Sequence, residues 1–374
     1  MNSTIESKKI VFDKNKIADF YPTLRKRVEE YFIKHKLSTH ANGAMVLKTI
    51  FILVVFIASF VLVVIEILPM WAMLISVLIH GFFTALVGFN ISHDAVHGSY
   101  SSSVRLNKIL GTTFNFAGTS DYIWKIKHNI IHHTYTNVDG LDDDIAKSPI
   151  IRQCESQKWV PAHKIQHIYL LPIYALSSIF WLFIMDFTKY FTRKIYTTDA
   201  WKMTTKNHIV FWTTKILYLT VYMVLPAIKF GFFPWLAGFF ILHAFMGLTL
   251  SLVFQLAHVV ENTEFETIAL DETKHIETAW AEHQIKTTAN FAMDNKVISW
   301  FVGGLNYQIE HHLFPKVSHV HYPAISKIVR AKCKEFNLPY NYYPTFFTAL
   351  ASHFRVMKWL GQNEPVTVTQ AQAA

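Results

Sequence analysis

Four runs of roughly twenty apolar residues leave this chain little choice of architecture. Residues 45–65 carry one charge, Lys48, and residues 67–91 carry none. Residues 207–228 carry only Lys215, and residues 232–257 none. About 20 helical residues cross a hydrocarbon core of about 30 Å, so each run is long enough to span a bilayer. One such run suits a buried helix of a large soluble protein; four in a chain of 374 residues do not. Composition agrees, with 52% apolar and 16% charged residues, against roughly 25% charged in typical soluble domains. The first run lacks a small-residue cleavage site at the right distance, so it reads as a retained span and not a signal peptide.

The runs pair into two hairpins. Glu66 and a few residues around Pro69 separate the first two, and a Gly231–Pro234 turn separates the last two. Lys and Arg avoid these outer turns, which hold only Lys229, and crowd into residues 1–44, 92–167, 186–206 and 258–374. Positive residues stay on the cytoplasmic side. Both termini and the central and C-terminal segments are therefore expected there, as in a bacterial inner-membrane protein. The net charge of +9 suits a surface of anionic lipid. It forms no stripe or motif of a nucleic-acid binder. A fifth run, residues 168–185, is expected to lie along the interface with Pro172 breaking it. A crossing there would split the histidine clusters between two compartments.

Those clusters carry the chemistry. The sequence has 20 histidines and two cysteines, Cys154 and Cys333, too few for a disulfide framework or a multi-cysteine metal site. His93-Asp-Ala-Val-His97 and His128-Asn-Ile-Ile-His132-His133 place i,i+4 pairs on one helical face. Gln308-Ile-Glu-His311-His312 follows i,i+3,i+4 spacing. Neutral imidazole is a strong ligand for first-row transition metals. One ion needs three or four protein ligands, so seven or eight histidines suggest two ions. An HExxH zinc-protease signature is absent. His258, at the end of the fourth run, is expected as a further ligand. Asp94, Asn129, Glu310 and His283 are expected to orient ligand rings. His80 and His243 fall mid-span, where a neutral histidine bonded to a neighbouring helix is expected. Arg105, Lys108, Lys125 and Lys127 either hold a CoA or lipid phosphate or face headgroups.

HDAVH, HNIIHH and QIEHH resemble the three histidine boxes of the membrane fatty acid desaturase family. The similarity extends through HHTYTNVDGLDDDI and GGLNYQIEHHLFP and covers about residues 45–340. It implies an all-α membrane protein with four spans in two hairpins, interfacial helices and a cytosolic cap around a di-iron centre. It also implies an acyl tunnel and a ligand histidine after the fourth span, His258. Residues 1–44 are then an N-terminal cytosolic segment and 341–374 a C-terminal tail. Gln308, where other members have histidine, is typical of front-end desaturases and is a weak or water-mediated ligand candidate. Many front-end enzymes carry a fused cytochrome b5 domain with an HPGG motif. Here that motif is absent and 44 residues precede the first span, so a separate donor is expected, a ferredoxin or a cytochrome b5 with its reductase. The expected reaction is O₂-dependent desaturation of an acyl-CoA or acyl-lipid. The alternatives are a di-iron hydroxylase of the same superfamily and a histidine-lined metal transporter, although transporter ligands lie near the midplane between repeats.

Overall fold

The computed structural model describes residues 11–13, 17–144, 148–196, 198–199, 202–267 and 275–363. Helix α1 (Phe20–His35) precedes the first hairpin, α2 (Gly43–Val64) and α3 (Met70–His97). Short helices α4 (Val104–Gly111) and α5 (Asp121–Lys125) follow, α5 running on into a π turn, Ile126–His132. The long helix α6 (Pro161–Thr192) leads to the second hairpin, α7 (Thr205–Phe230) and α8 (Phe232–His258). The remainder holds α9 (Trp280–Lys286), α10 (Lys296–Phe301), α11 (Gln308–Leu313), α12 (Tyr322–Glu335) and α13 (Phe346–Gln362). Two-residue parallel bridges pin the loops, with Val138 opposite Glu266 and Asn290 opposite Tyr342.

Among the described residues, five helices are long and apolar enough to cross a membrane: α2, α3, α6, α7 and α8. One side of α2 exposes Leu47, Ile50, Phe51, Val54, Ile57 and Val61. A soluble protein would bury such a band; lipid covers it here. The chain is a mainly helical, multi-pass membrane protein. Small residues and buried polar bonds draw the helices together, as apolar burial alone gives no preference in lipid. His80 Nε2 meets Tyr222 Oη at 2.9 Å, and its Nδ1 lies 3.0 Å from the Phe56 carbonyl. His243 Nε2 meets Tyr218 Oη at 2.9 Å and its Nδ1 lies 3.0 Å from Ser178 Oγ. Both mid-span histidines thus tie neighbouring helices. A buried ion pair, Lys215–Asp186 at 2.8 Å, joins α7 to α6.

Pro172 does not break α6. It sits inside a continuous helix, and Ile168, whose carbonyl it leaves without a helical donor, is exposed. The helix loosens instead at a π turn, Trp181–Met185. Both ends of α6 are fastened: Gln166 Nε2 donates to the Met357 carbonyl on α13, and Tyr190 Oη meets His208 Nδ1 at the start of α7.

The described part of segment 341–374 is not a tail. Helix α13 buries Ala349, Ser352, His353, Met357 and Leu360, an i,i+3,i+4 stripe that packs on α6 and α8. Residues 364–374 lie outside the described residues. Within residues 1–44, α1 buries Phe20, Leu24, Val28 and Phe32 against Leu313, Ile325 and Val329. That cluster packs α1 and α12 against α11.

Candidate metal centre

Three helix ends and one π turn converge at the histidines. The C-terminal turn of α3 supplies His93 and His97 after a π turn, Gly88–Ser92. The π turn after α5 supplies His128 and His132, with His133 capping it. His258 is the last residue of α8, and α11 supplies Gln308, His311 and His312. The second box is not α-helical, as its i,i+4 spacing had implied. The His133 N–H reaches the His128 carbonyl at 3.1 Å, an i to i−5 bond. That wider turn brings His133 Nε2 to 3.2 Å from His128 Nε2. π turns recur where side chains must be re-aimed.

Glycine sets up the third box. Gly303 and Gly304 have φ of +63° and +67°, a region that side chains disfavour. A Cβ on Gly303 would also stand 2.6 Å from the Phe89 carbonyl oxygen. The chain can therefore lie against α3 just before α11 begins.

The histidines form two adjoining groups. Ring nitrogens of His93, His97, His128 and His311 all lie within 4.8 Å of one another, as do those of His132, His258 and His312. His133, grouped with His311 and His312, stands between them. All eight are buried, at most 9% exposed. Burial, and next the neighbouring imidazoles, hold His133, His311 and His312 well below their ordinary pKa. Burial does the same to His128. Neutral rings keep the lone pair a metal needs.

Second partners fix which nitrogen keeps it. His132 Nδ1–H donates to Asp142 Oδ2 at 2.9 Å, since a carboxylate only accepts. His312 Nδ1 faces Gln284 Oε1 at 2.7 Å, and His311 Nδ1 faces Tyr322 Oη at 3.0 Å. The Nε2 atoms of His132 and His311 then have no hydrogen-bond partner among the described residues, and the same holds for His97 Nε2, His93 Nδ1, His133 Nδ1 and Gln308 Oε1. Six orphaned polar atoms, buried and converging, are costly unless a cation meets them. His128 Nε2 and His133 Nε2 are 3.2 Å apart, near the spacing of about 3 Å that ligand bonds of about 2.1 Å impose. The donor set, imidazole with almost no sulfur, fits a first-row metal such as iron.

Gln308 sits among the ligand candidates, with Nε2 2.9 Å from His258 Nε2 and 3.4 Å from His312 Nε2. The expected ring-orienting residues lie otherwise. Asp94 Oδ1 is 3.9 Å from His93 Nδ1, and Asp94 Oδ2 is taken by His319 Nδ1 at 3.0 Å and Ser318 Oγ at 2.8 Å. Asn129 donates to the Val96 carbonyl. Glu310 accepts from Tyr340 and Asn290 and faces away from the rings; burial pushes its pKa up to about 7. His283 bonds the Thr136 carbonyl at 2.8 Å. The residues that do bond rings of the two histidine groups, Asp142, Gln284 and Tyr322, are not among those expected from sequence. Asp142 had a signal: it opens an acidic run ten residues after His132, inside the quoted motif. Arg105, Lys108 and Lys125 are exposed. Lys127 is buried against Asp144; burial opposes its charge, but Asp144 and Asp143 outweigh it and raise its pKa.

A cavity of about 370 Å³ opens beside the histidines. His93, His128 and Gln308 are part of its lining, with Phe89, Phe114, Trp124, Ile173, Phe180, Trp181, Leu250 and Phe254. This mostly apolar lining suits an alkyl chain laid beside the histidine groups.

Comparison with known proteins agrees with this geometry. The family model described as fatty acid desaturase matches residues 69–344. An acyl-lipid (8-3)-desaturase of Physcomitrium patens is 39% identical, over 92% of this chain and 72% of its own length. An sn-1 linoleoyl-lipid 6-desaturase of Arthrospira platensis is 36% identical, over 96% of this chain and 97% of its own. One of the same name from Synechocystis is 34% identical, over 92% and 96%. With histidine groups able to bind metal beside an apolar cavity, the chain belongs to the fatty acid desaturase family, oxidoreductases that place double bonds in fatty acyl chains.

Proposed function

We propose that this protein is a front-end acyl-lipid desaturase with two irons. In this reading His93, His97, His128 and His311 hold one iron, and His132, His258 and His312 hold the other. His133 stands at the boundary, with Gln308 as a weak or water-mediated ligand. The observation that carries it is the pair of adjoining histidine groups beside an apolar cavity. The substrate class follows from the relatives, whose names specify acyl-lipid and linoleoyl-lipid. It is an acyl chain, esterified in a membrane lipid, that already holds a double bond.

The overall change removes two hydrogens from adjacent methylenes, consumes O₂, two electrons and two protons, and releases two waters. The bound irons supply the O₂ activation that an unactivated C–H bond requires. The chain's own residues do the rest. Phe89, Phe114, Trp124 and Phe254 hold the alkyl chain and exclude water. Asp142, Gln284 and Tyr322 fix the tautomers of His132, His312 and His311.

Four helices cross the bilayer in this reading, and α6, whose Ser178 meets mid-span His243, enters it from the cytoplasmic side without crossing. The C-terminal ends of α3 and α8 meet at one site, so the start of α7 faces the same side. A single crossing by α6 would contradict that. The fastening of α6 to α13 at one end and to the start of α7 at the other supports both ends lying on that side. Electrons come from a ferredoxin or a cytochrome b5 with its reductase, small acidic proteins drawn to a chain of net charge +9.

Expression in a host of defined fatty-acid composition, followed by gas chromatography and mass spectrometry, tests the reading. A new cis double bond between an existing one and the carboxyl end is expected. A hydroxylated product, or a bond on the methyl side, contradicts it.

A further inference from the structure

The cavity wall beside the histidines is interrupted by one buried amide pair. Gln153, from the loop before α6, donates through Nε2 to Gln255 Oε1 on α8 at 2.7 Å. Both line the cavity. They are 2% and 7% exposed. Two amides sharing one hydrogen bond leave N–H groups over, whichever way each is turned. No described residue takes those of Gln255. Methylenes offer them nothing, whereas an acceptor in the cavity would satisfy them.

The pair is held in place. Next to Gln153, Arg152 is buried and donates to the carbonyls of Gln157, Leu360, Asn363 and Glu155. The Gln153 N–H is taken by Gln157 Oε1 at 2.9 Å. Gln255 is fixed by α8 itself, three residues before His258. A rise of 1.5 Å per residue puts it about 4.5 Å along the helix from that ligand candidate. The lining also includes Ile150, 52% exposed, and Leu176, 46% exposed.

We propose that the Gln153–Gln255 amides bind the carbonyl oxygen of the acyl ester or thioester, and so set which carbons meet the metal groups. An acyl chain carries one hydrogen-bond acceptor, and it lies at the carboxyl end. Gripping it one helical turn from the metal groups measures the reaction site from that end. The inference rests on the desaturase reading and deepens it: front-end regiochemistry needs a ruler anchored at the carbonyl, and these are the amides placed to anchor it. Gln153 and Gln255 are positioning residues and take no part in bond cleavage.

The test uses iron-loaded protein in nanodiscs and compares an ester lipid with its alkyl-ether analogue, which has the same chain and no carbonyl. A parallel arm compares acyl-CoA with the alkyl thioether of CoA; the arm that binds identifies the carrier. Wild type is expected to prefer the carbonyl compound about tenfold, equivalent to about 1.4 kcal/mol. Gln255→Leu and Gln153→Leu are each expected to lose that preference, to raise KM more than they lower kcat, and to spread the new double bond over neighbouring positions. Equal binding of ester and ether by wild type overturns the proposal, whether or not either variant folds. So does a folded variant that keeps both the preference and a single product. Failure of wild type to desaturate any acyl compound would instead overturn the desaturase reading.

Discussion

His133 Nε2 stands 3.2 Å from His128 Nε2, five residues away along a π turn. In an α-helix that separation would turn the two rings to different faces. Here it lets the second box contribute to both histidine groups. Re-forming the segment as an α-helix, by deleting Asn129, is expected to abolish desaturation and lower bound iron while leaving membrane insertion unchanged. Metal analysis and product chromatography on the same preparation check this.

Asp142→Asn is expected to cost between 10- and 100-fold in activity or iron affinity, because the amide can present an N–H to His132 and favour the wrong tautomer. Glu310→Gln should change activity far less, since Glu310 bonds Tyr340 and Asn290 and no ligand ring. Iron titration of the two variants separates them.

Helix contact in lipid predicts a second pair. A Cβ on Gly81 would stand 2.4 Å from the Leu242 carbonyl oxygen, whereas one on Gly238 meets nothing within 4 Å. Gly81→Leu is expected to destabilise the fold by about 1–3 kcal/mol, seen as a lower thermal midpoint in detergent. Gly238→Leu should leave that midpoint almost unmoved.

Burial pushes the His353 imidazole down to about 4, with the Val259 carbonyl opposing in part. The unfolded chain binds that proton near pH ~6.5, so its contribution to stability is complete above that value and lost as pH falls toward ~4. His353→Gln should flatten that part of the stability–pH curve. An unchanged curve in thermal scans would show that the acid sensitivity lies elsewhere.

Much of this molecule was legible because membrane and metal chemistry both write periodic signals. Uncharged runs marked α2, α3, α7 and α8 to within a few residues, since lipid tolerates little else. The boxes marked the ligand candidates because metals need imidazole in number. What escaped was set by tertiary context. Gln284 and Tyr322 are ordinary residues until folding brings them to His312 and His311. The π turn at Ile126–His132 leaves no trace in spacing. The α13 stripe was present at positions 349, 352, 353, 357 and 360, but three of the five residues are small or polar. Pro172 misled because an exposed carbonyl tolerates the loss of its helical partner.

Single cysteines at Ser101, Lys194 and Lys296, in a chain whose Cys154 and Cys333 are replaced by serine, are expected to label only from the cytoplasmic side. Labelling of position 194 from outside would mean that α6 crosses.

The central claim is that the two histidine groups each hold an iron. Iron per chain, measured in anaerobically loaded protein by elemental analysis and Mössbauer spectroscopy, tests it most directly. The account predicts two irons in wild type, and about one in His97→Ala and in His258→Ala, each retaining the signature of the remaining site. One iron in wild type, or two in either variant, would contradict it.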